Sequence, residues 1–490
     1  MSSLNLVEVL QVSKSFYKGF GWKPILKDID FTICEGEFVI LRGENGAGKS
    51  TLLSLIMGLL QPSSGEIKLM NLSPQLPESK NRVGVVLQEA NVPKNLKVRE
   101  LIQLVQSYYP SPVPTEEILK KVNLQEMQDA WTTSLSGGQK QRLYFALALV
   151  GNPELLILDE PTRNLDEKGY EEFWTQIKSC RDQEVTILMV TNNQSDWREI
   201  DQLSTRTVNL QKISEEFEGR QLVEVTSLTE FSLEQNRATN TSEKSSVLQA
   251  QNTSYALQEQ IWAEMLQLLR TPGFLFGIFL LAGLTAILPY PVESAKQTLV
   301  YLSGVILLTV AIDRLGGRVA FERAEGWLKF LRTTPLSPTT YITAKILTTL
   351  AVCAFSLMSI FILAIWKNGV QINSSELLFI SLSLILGVIP FAILGLGLSY
   401  LIDPKSYNSI SAVTIIIGLL TCGSIPLPKP QLSQDLVAFS PFYHYRQLMA
   451  WSAGLDHDGQ LWLHLLWLLW SSITFGFLAI WAYKRDQVVL

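Results

Sequence analysis

The sequence has few charged side chains for its length, and it lacks an excess of either sign. Charged residues make up 17% of the 490 residues and hydrophobic residues 47%. Typical soluble domains contain about a quarter charged residues, so this composition argues against a disordered chain and against an ordinary soluble enzyme. Lysine and arginine number 40 against 45 acidic residues. Without a basic surplus, no nucleic-acid partner is expected.

Cysteine and histidine are also scarce. The four cysteines and three histidines are Cys34, Cys180, Cys353, Cys422, His444, His457 and His464. The cysteines are too far apart in sequence for a metal knuckle or a redox pair, and no disulfide framework is expected. The histidines lack the ligand spacing of a metal centre. The first residues lack a signal-peptide layout, so membrane insertion is expected from internal segments.

The charged residues are distributed unevenly along the chain. Residues 1–230 hold 24 basic and 31 acidic side chains, whereas residues 231–490 hold 16 and 14. This asymmetry predicts a soluble domain over residues 1–226 and a membrane domain over residues 256–490. The polar stretch 227–255 between them favours a flexible linker, although an ordered extension of the soluble domain stays open.

The first part of the chain alternates between short apolar runs and helical stretches. The runs that suit buried strands are Phe38–Leu41, Val83–Leu87, Leu155–Leu158 and Thr186–Val190. Apolar runs of this length, separated by helices, predict an α/β fold with crossover connections.

The second part begins with an amphipathic stretch, Ala256–Arg270, which we expect to lie along the inner membrane surface. Six apolar segments follow, and we predict an all-α membrane domain with spans at about 273–290, 297–312, 344–366, 377–402, 408–425 and 461–483. The intervening inner segments, including the predicted loop 313–345, hold nine basic residues against four in the outer segments. Both termini are therefore expected in the cytoplasm.

One glycine-rich run carries chemistry. It comprises Gly43, Glu44, Asn45, Gly46, Ala47, Gly48, Lys49, Ser50 and Thr51, between a predicted strand and a predicted helix. Glycines let backbone N–H groups approach phosphates, and the helix N-terminus adds partial positive charge. Lys49 is expected to reach the β- and γ-phosphates of a nucleotide, and the Ser50 hydroxyl to bind Mg²⁺.

Two further segments complement this run. Asp159 and Glu160 end a buried strand, where Asp159 is expected near Mg²⁺ and Glu160 near the attacking water; a helix cap or salt bridge is the alternative. Ser136, Gly137, Gly138 and Gln139 precede a second helix and form a second candidate anion site. Both sites can serve one γ-phosphate if two copies face each other, which predicts a two-fold dimer with ATP between them.

These motifs, in this order and spacing, resemble the ATPase domain of ABC transporters over roughly residues 4–226. The resemblance implies a P-loop fold that binds ATP and Mg²⁺. It implies that Gln88 is the Q-loop residue, which contacts the metal and the reacting water, that Leu135–Gln139 is the signature motif and that Asp166 is the D-loop aspartate. Phe16, or Tyr17 beside it, is expected to stack on adenine.

Two positions depart from the family pattern. The usual histidine is replaced by Asn192, which donates a hydrogen bond but carries no charge. Asn164 stands where a smaller residue is usual in the D-loop region. We expect slower hydrolysis from the first change and an altered dimer contact from the second, with an active ATPase because Glu160 is present.

The membrane half resembles the permease of ABCG-like, type V exporters. The segment Glu322–Leu336, with Trp327, Phe330 and Leu331, matches the family's coupling helix, and the stretch 426–450 is similar to its re-entrant helices. An interfacial helix with no partner is the alternative reading of the first segment.

Together the two resemblances imply a half-transporter. The predicted spans and the lack of organellar targeting indicate a bacterial inner or plasma membrane. A homodimer would export a small-molecule or lipid-like cargo, in contact with membrane lipid, and uncharged span centres favour a lipophilic or amphiphilic substrate. Two alternatives stay open: a heterodimer with a weak ATP site, and an ATP-driven signalling or mechanical device. Haem, drug, lipid-linked glycan, peptide and antibiotic are all compatible with the sequence.

Overall fold

The computed structural model describes residues 4–18, 21–88, 91–163, 165–213, 223–227, 245–271, 280, 283, 295–368, 370, 372–422, 437–455 and 457–489. The chain divides into two compact units. The first comprises Met1–Ala263, Glu325–Tyr341 and Gln487–Leu490, and the second comprises Glu264–Ala324 and Ile342–Asp486.

Two sheets form the core of the first unit. The strands are β1 (Asn5–Lys18), β2 (Gly21–Cys34), β3 (Phe38–Arg42), β4 (Ser64–Leu69), β5 (Val83–Val86), β6 (Leu155–Asp159), β7 (Thr186–Val190), β8 (Arg206–Leu210) and β9 (Val223–Ser227). One sheet has the order β2-β1-β4, and the other has the order β5-β6-β7-β3-β8-β9. The smaller sheet is antiparallel.

The larger sheet is parallel from β5 to β8, and β9 joins its edge antiparallel to β8. Every residue of β5, β6 and β7 is buried. Continuous apolar strands of this kind need cover on both faces, which the crossover helices supply. The α/β prediction is therefore confirmed, with the four predicted strands displaced by at most one residue at their ends.

Six helices connect these strands: α1 (Lys49–Ile56), α2 (Val98–Gln106), α3 (Thr115–Lys121), α4 (Gly137–Leu149), α5 (Glu167–Asp182) and α6 (Trp197–Leu203). In α2 the buried residues recur at helical spacing, as Val98, Leu101, Ile102 and Val105 show. This stripe packs the helix on the core while its polar face stays in solvent.

A seventh helix, α7 (Ser245–Leu269), is longer than the predicted amphipathic stretch. It includes residues 245–255, which the linker prediction assigned to flexible chain. Gln, Ala and Leu within this stretch are good helix formers and extend the amphipathic helix toward its N-terminus. The remainder of the predicted linker lies outside the described residues except for the end of β9, so the domain boundaries stay predictions.

The second unit is helical. Its helices, together with the short α9 of the first unit, are α8 (Ala295–Ala324), α9 (Trp327–Leu331), α10 (Pro338–Asn368), α11 (Ser374–Gly387), α12 (Ile389–Leu401), α13 (Tyr407–Thr421), α14 (Pro441–Ser452) and α15 (Leu461–Val489). Four stretches are long and apolar enough to cross a membrane: Ala295–Ala324, Pro338–Lys367, Ser374–Leu401 and Leu461–Asp486.

These four correspond to the second, third, fourth and sixth predicted spans. The first predicted span lies outside the described residues except for Leu280 and Gly283. The fifth is the 15-residue helix α13, and its last predicted residues also lie outside. The predicted loop 313–345 is largely helical instead, because Arg and Glu favour helix and carry α8 on past its apolar part.

Helix α8 contains a π-helical turn at Val310–Leu315. The Tyr407 hydroxyl, 1% exposed, donates a hydrogen bond to the Ile312 carbonyl at 2.6 Å. A Cβ on Gly316 would lie 1.9 Å from that hydroxyl oxygen, so only glycine fits there. The turn is therefore held by packing from α13 and by a specific hydrogen bond.

A buried ion cluster also lies in the second unit. Lys345 Nζ lies 2.5 Å from both Glu264 Oε1 and Glu322 Oε1. Arg318 Nε lies 2.8 Å from Glu264 Oε2. The Lys345 side chain is 2% exposed, so its charge is balanced by these carboxylates away from water.

Candidate nucleotide-binding site

The predicted site residues meet at one edge of the larger sheet. The glycine-rich loop follows β3, Gln88 follows β5, Glu160 follows β6, and Asn192 follows β7. These strands are parallel neighbours. Because the carboxyl ends of parallel strands share an edge, residues distant in sequence are brought together there.

Internal hydrogen bonds and close packing shape the glycine-rich loop. Lys49 Nζ donates to the carbonyls of Gly43 and Glu44, at 2.6 and 3.1 Å. Gly48 has φ +100°, and a Cβ there would lie 2.6 Å from Leu26 Cδ2. Ser50 and Thr51 lie in the first turn of α1, whose free N–H groups suit a phosphate. The loop therefore fits the triphosphate that the sequence predicted.

The Glu160 carboxylate is held between two amides. Gln88 Nε2 donates to Glu160 Oε2 at 3.0 Å, and Asn192 Nδ2 donates to Glu160 Oε1 at 2.8 Å. Glu160 has φ +47°, a left-handed conformation that is costly for a non-glycine residue. Its N–H is anchored on the Val190 carbonyl at 2.8 Å. The three predicted catalytic residues thus form one connected group.

Asp159 is buried beside this group. Burial raises the pKa of the Asp159 carboxyl to about 6, Lys329 and Lys49 lower it, and Glu160 raises it. Among the described residues, Asp159 Oδ1 has no hydrogen-bond partner. A buried carboxylate oxygen without a partner is costly, and it is a ligand that Mg²⁺ prefers. The residues present therefore fit the predicted Mg²⁺, with the Ser50 hydroxyl as the second expected ligand.

Burial also affects the lysine of the loop. It lowers the pKa of Lys49, while Glu160 and Asp159 raise it. The two carboxylates thus favour the charged form of the lysine, which is the form that binds phosphate.

The second anion site lies at the N-terminus of α4. Ser136 caps the helix: its hydroxyl accepts from the Gln139 N–H at 3.3 Å, and the Gln139 side chain accepts from the Ser136 N–H at 2.9 Å. This capping box defines the start of the helix, and Ser136 and Gly137 are exposed. Asp166 caps α5, accepting from the Gly169 N–H at 3.0 Å, and lies beside Gly138. The predicted signature and D-loop residues are therefore neighbours in one copy.

The aromatic residues predicted to stack on adenine lie on β1. Phe16 is half-buried with Lys14 Nζ 5.1 Å from its ring centroid. Tyr17 is 65% exposed and forms an edge-to-face pair with Trp22, at 5.6 Å. Trp22, on β2, is 68% exposed and was missed by sequence reasoning, which had no pairing register for this hairpin. The adenine contact stays a prediction. Asn164 lies outside the described residues.

Sequence reasoning also missed Asp196, which connects the loops after β6 and β7. Its Oδ2 accepts from the Thr162 hydroxyl at 2.7 Å and from the Thr191 hydroxyl at 2.5 Å. Asp196 is fully buried. These bonds fix the spacing of the two loops that carry Glu160 and Asn192. An acidic residue in a polar loop gave no signal for this role.

Most of the segment predicted as a coupling helix, from Glu325 to Leu336, belongs to the first unit, whereas Glu322, Arg323 and Ala324 end α8 in the second unit. Gly326, at φ +77°, begins the five-residue helix α9. Trp327 and Phe330 stack at 5.0 Å and are almost fully buried. The N–H of Asn91 donates to the Glu325 carbonyl at 2.8 Å, and Lys94 Nζ pairs with the Glu325 carboxylate at 2.8 Å.

Two further contacts hold neighbouring segments in this unit. Lys80 donates from its ammonium to the Arg332 carbonyl, just past the end of α9. Burial, together with the nearby charge of Arg332, lowers the pKa of Lys80 to about 8. The Tyr108 hydroxyl donates to Gln260 Oε1 of α7 at 2.6 Å, and both side chains are buried. The predicted docking surface is thus apolar at its centre and hydrogen-bonded at its edges.

Two family models match the chain. Residues 26–163 match the family described as "ABC transporter", and residues 182–481 match "ABC-2 family transporter protein". A "Nod factor export ATP-binding protein I" from Rhizobium meliloti (strain 1021) is 36% identical over 195 residues, 38% of this chain and 56% of that protein. The "Putative hemin import ATP-binding protein HrtA" from Staphylococcus saprophyticus is 33% identical over 200 residues, 38% of this chain and 90% of that protein.

A solved structure of the ATP-binding cassette MJ0796, bound to ADP and Pi, has a TM-score of 0.40 and 27% identity, covering 46% of this chain and all of that one. The chain spans 56% of the length of the Rhizobium meliloti relative. The second family match covers more than half of this chain. The chain therefore belongs to the ABC-2 family of transporter proteins and carries an ABC-type ATP-binding domain ahead of its membrane helices.

Proposed function

We propose that this chain is a half-transporter whose dimer uses ATP to export a lipophilic or amphiphilic substrate. The observation that carries the proposal is the position of the segment Glu325–Tyr341. About a hundred residues of sequence separate this segment from the ATP-binding domain. It nevertheless packs in the same compact unit as the nucleotide loops. This segment lies between two membrane helices in sequence. Its position beside the nucleotide loops is the one expected if it transmits the state of the nucleotide site to those helices.

Within the nucleotide site each residue has a defined task. The ammonium of Lys49 binds the β- and γ-phosphates, and Ser50 and Asp159 hold Mg²⁺. Bound Mg²⁺ neutralises charge that develops on the phosphates. Glu160 takes a proton from the attacking water while Gln88 and Asn192 orient its carboxylate. The left-handed backbone of Glu160 is consistent with a strained catalytic position.

The signature motif requires a second copy of the chain. Ser136 and Gly137 are exposed at the start of α4, where free N–H groups and the helix dipole favour an anion. We infer that this surface contacts the γ-phosphate bound by the partner's glycine-rich loop. Closure of the dimer on ATP would then move the segment that holds α9, and opening after hydrolysis would reset it.

Export and an apolar cargo are favoured by the membrane helices. The four candidate spans contain apolar windows with at most two charged residues, which offers little to a permeating ion. One group of relatives is named for export of Nod factors, although another is named for import of hemin. We favour export because the ATP-binding and membrane domains share one chain, an arrangement unusual in prokaryotic importers.

The proposed location is the cell membrane, with the ATP-binding domain and both termini in the cytoplasm. The last helix, α15, carries Lys484 and Arg485 near its C-terminal end. Basic residues at the end of a span favour the cytoplasmic side. The N-terminal end of α15 then faces the outside.

A heterodimer with one weak ATP site is the second candidate, and Asn192 is the observation that favours it. An amide cannot become charged as histidine does, so its contact with a γ-phosphate is weaker. In that case a second half-transporter would supply the stronger site.

The test is Mg-ATP hydrolysis by the purified chain in liposomes, with Glu160→Gln as the variant and Glu171→Gln as the control. Glu171 is an exposed carboxylate on α5. We expect hydrolysis by the parent and the control, a loss of at least about a hundredfold in Glu160→Gln, and ATP-dependent dimers of that variant by light scattering. Uptake of a lipophilic dye into inside-out vesicles should likewise be seen with the parent and Glu171→Gln and be lost in Glu160→Gln. An inactive parent that forms no ATP-dependent dimer would contradict the homodimer.

A further inference from the structure

Two of the three histidines form a buried pair at the N-terminal end of α15. His444 lies on α14 and His464 on the first turn of α15, and each is 2% exposed. Their Nδ1 atoms lie 2.8 Å apart. This contact joins the short helix α14 to the last span.

The outer nitrogens of the pair determine where the protons lie. His444 Nε2 lies 2.9 Å from the Ala438 carbonyl oxygen, and His464 Nε2 lies 2.7 Å from Asp458 Oδ1. A carbonyl oxygen only accepts, so His444 Nε2 carries a proton. The proton between His464 Nε2 and Asp458 lies on one of those two atoms.

A proton count follows from these contacts. If only those two protons were present and both lay on Nε2, the two Nδ1 atoms would present lone pairs to each other at 2.8 Å. That contact is repulsive. A third proton turns it into an N–H···N hydrogen bond. With three protons the group Asp458–His464–His444 is neutral overall, whether Asp458 is ionised or protonated.

A metal ion does not fit between the two nitrogens. Zinc binds imidazole nitrogen at about 2.0–2.1 Å, so a bridging ion would need the nitrogens about 4 Å apart. The observed 2.8 Å separation accommodates a proton alone.

We propose that His444, His464 and Asp458 form a proton-binding site that fastens α14 to α15 when the third proton is bound and releases it when that proton leaves. The ligand is a single proton from the medium on the side opposite Lys484 and Arg485. This side is the outside if the orientation given under the proposed function holds. The site then makes the outer end of the membrane domain sensitive to external pH.

The surroundings set the direction of the pH response. Burial lowers the pKa of His444 to about 4, while the Ala438 carbonyl and Asp458 raise it and His464 lowers it. Among the described residues, the titratable Tyr443 also contacts this group: its hydroxyl donates to Asp458 Oδ2 at 3.3 Å, and Arg446 acts on Tyr443. The third proton is therefore bound in acid medium and is lost as the pH rises through about 4, well below the ordinary histidine range near 6.5.

The scarcity of histidine makes this site observable. The chain has only three histidines, and the third, His457, is exposed. The full chain labelled with ¹⁵N-histidine and reconstituted in liposomes should give three ring patterns in solid-state NMR. At pH 3 to 4 we expect a through-bond correlation between two Nδ1 atoms, absent in His444→Gln and kept in His457→Gln. Three rings that titrate independently between pH 4 and 8, with no such correlation, would overturn the proposal.

A second measurement reports the release of α14 and tolerates a failure of His444→Gln to fold. Asp458 is one-third exposed, so Asp458→Asn should leave the packing intact. We expect amide hydrogen exchange of residues 441–452, corrected for intrinsic rates, to rise about tenfold from pH 3 to pH 6 in the parent and in His457→Gln. The rise should be less than threefold in Asp458→Asn. Equal protection at both pH values in the parent would refute the switch. Neither measurement depends on ATP hydrolysis, so each can fail while the proposed transport function holds.

Discussion

Asn192 holds the Glu160 carboxylate: its Nδ2 donates to Glu160 Oε1 at 2.8 Å. The residue in the usual histidine position therefore orients the proposed base even without a charge. We expect Asn192→Ala to lower kcat for ATP hydrolysis roughly tenfold with KM changed less than about twofold, because orientation of the base is lost. Steady-state kinetics of the reconstituted chain would show this, with the exposed amide variant Gln194→Ala as control.

Histidine at the same position should have the opposite effect. Asn192→His adds a group that can carry positive charge next to the γ-phosphate, so we expect kcat to rise several-fold. If Asn192→Ala leaves kcat unchanged, or Asn192→His abolishes hydrolysis, the amide does not act in the way proposed.

Mg²⁺-dependent nucleotide binding should depend on pH through Asp159. Burial raises the pKa of this carboxyl to about 6, and only the ionised form binds the metal. Affinity for Mg-nucleotide should therefore fall up to about tenfold per pH unit below 6. Titrations with a fluorescent ATP analogue from pH 5 to pH 8 would measure it. Asp159→Asn should bind weakly at all pH values, whereas the exposed control Asp182→Asn should follow the parent.

The same shift predicts a stability effect without nucleotide. The folded pKa of Asp159 lies above its unfolded value, so its contribution to stability is fully present below about pH 4 and is lost as the pH rises through about 6. At pH 7.5 Asp159→Asn should raise the Tm of the nucleotide-free chain. The free energy of unfolding should increase by up to roughly 2 kcal/mol. A lower Tm in this variant would show that burial of the charge is compensated by contacts elsewhere.

Asp196 should be important for stability because it connects two loops of the site. Asp196→Ala leaves the buried hydroxyls of Thr162 and Thr191 without their acceptor, at a cost of about 2–4 kcal/mol. We expect a lower Tm in thermal shift assays of the whole chain, and reduced hydrolysis because two loops of the site lose their link. Asp201→Ala removes an exposed carboxylate 3.7 Å from Arg42 and should change little. Equal Tm values for the two variants would contradict this role.

Loss of the Lys80 contact should separate hydrolysis from transport. Lys80→Met removes the donor to the Arg332 carbonyl beyond α9 and leaves the nucleotide loops in place. Basal ATP hydrolysis should stay within about twofold of the parent, while cargo-stimulated hydrolysis and dye uptake should fall at least fivefold. Lys68→Met, a surface control, should behave as the parent. Full stimulation in Lys80→Met would indicate that this contact is not used in coupling.

The ion cluster around Lys345 predicts a rescue. Lys345→Met leaves Glu264 and Glu322 buried with less positive charge, which should cost about 3–5 kcal/mol and reduce the yield of monodisperse protein. Arg318 still balances one carboxylate, so adding Glu264→Gln removes the surplus negative charge, and the double variant should recover part of the Tm. Lys367→Met, at the exposed end of α10, is the control. A double variant less stable than Lys345→Met would contradict the argument.

The sequence predicted what local patterns determine. Four apolar strands and the glycine-rich loop are local features, and each lies where its pattern placed it. The contact between Asp196 and Thr162 depends on how two loops pack, and the pair His444–His464 depends on how two helices pack. No spacing in the sequence encodes such contacts. The loop expected over 313–345 is a case in which a local pattern misled the prediction. Its basic and acidic residues mark the end of the apolar part of the span, but the helix continues past them.

The π-helical turn of α8 changes the direction, around the helix axis, in which the side chains of the second half of the helix point. One additional residue in the turn rotates everything after it by about 100° relative to a regular helix. Arg318 and Glu322 therefore face α7 and Lys345, whereas a continuous α-helix would turn them toward a different neighbour. The hydrogen bond from the Tyr407 hydroxyl to the Ile312 carbonyl stabilises the turn and so maintains this rotation. The alignment of the charged end of α8 with its partners thus depends on a hydrogen bond from a residue nearly a hundred positions later in the chain.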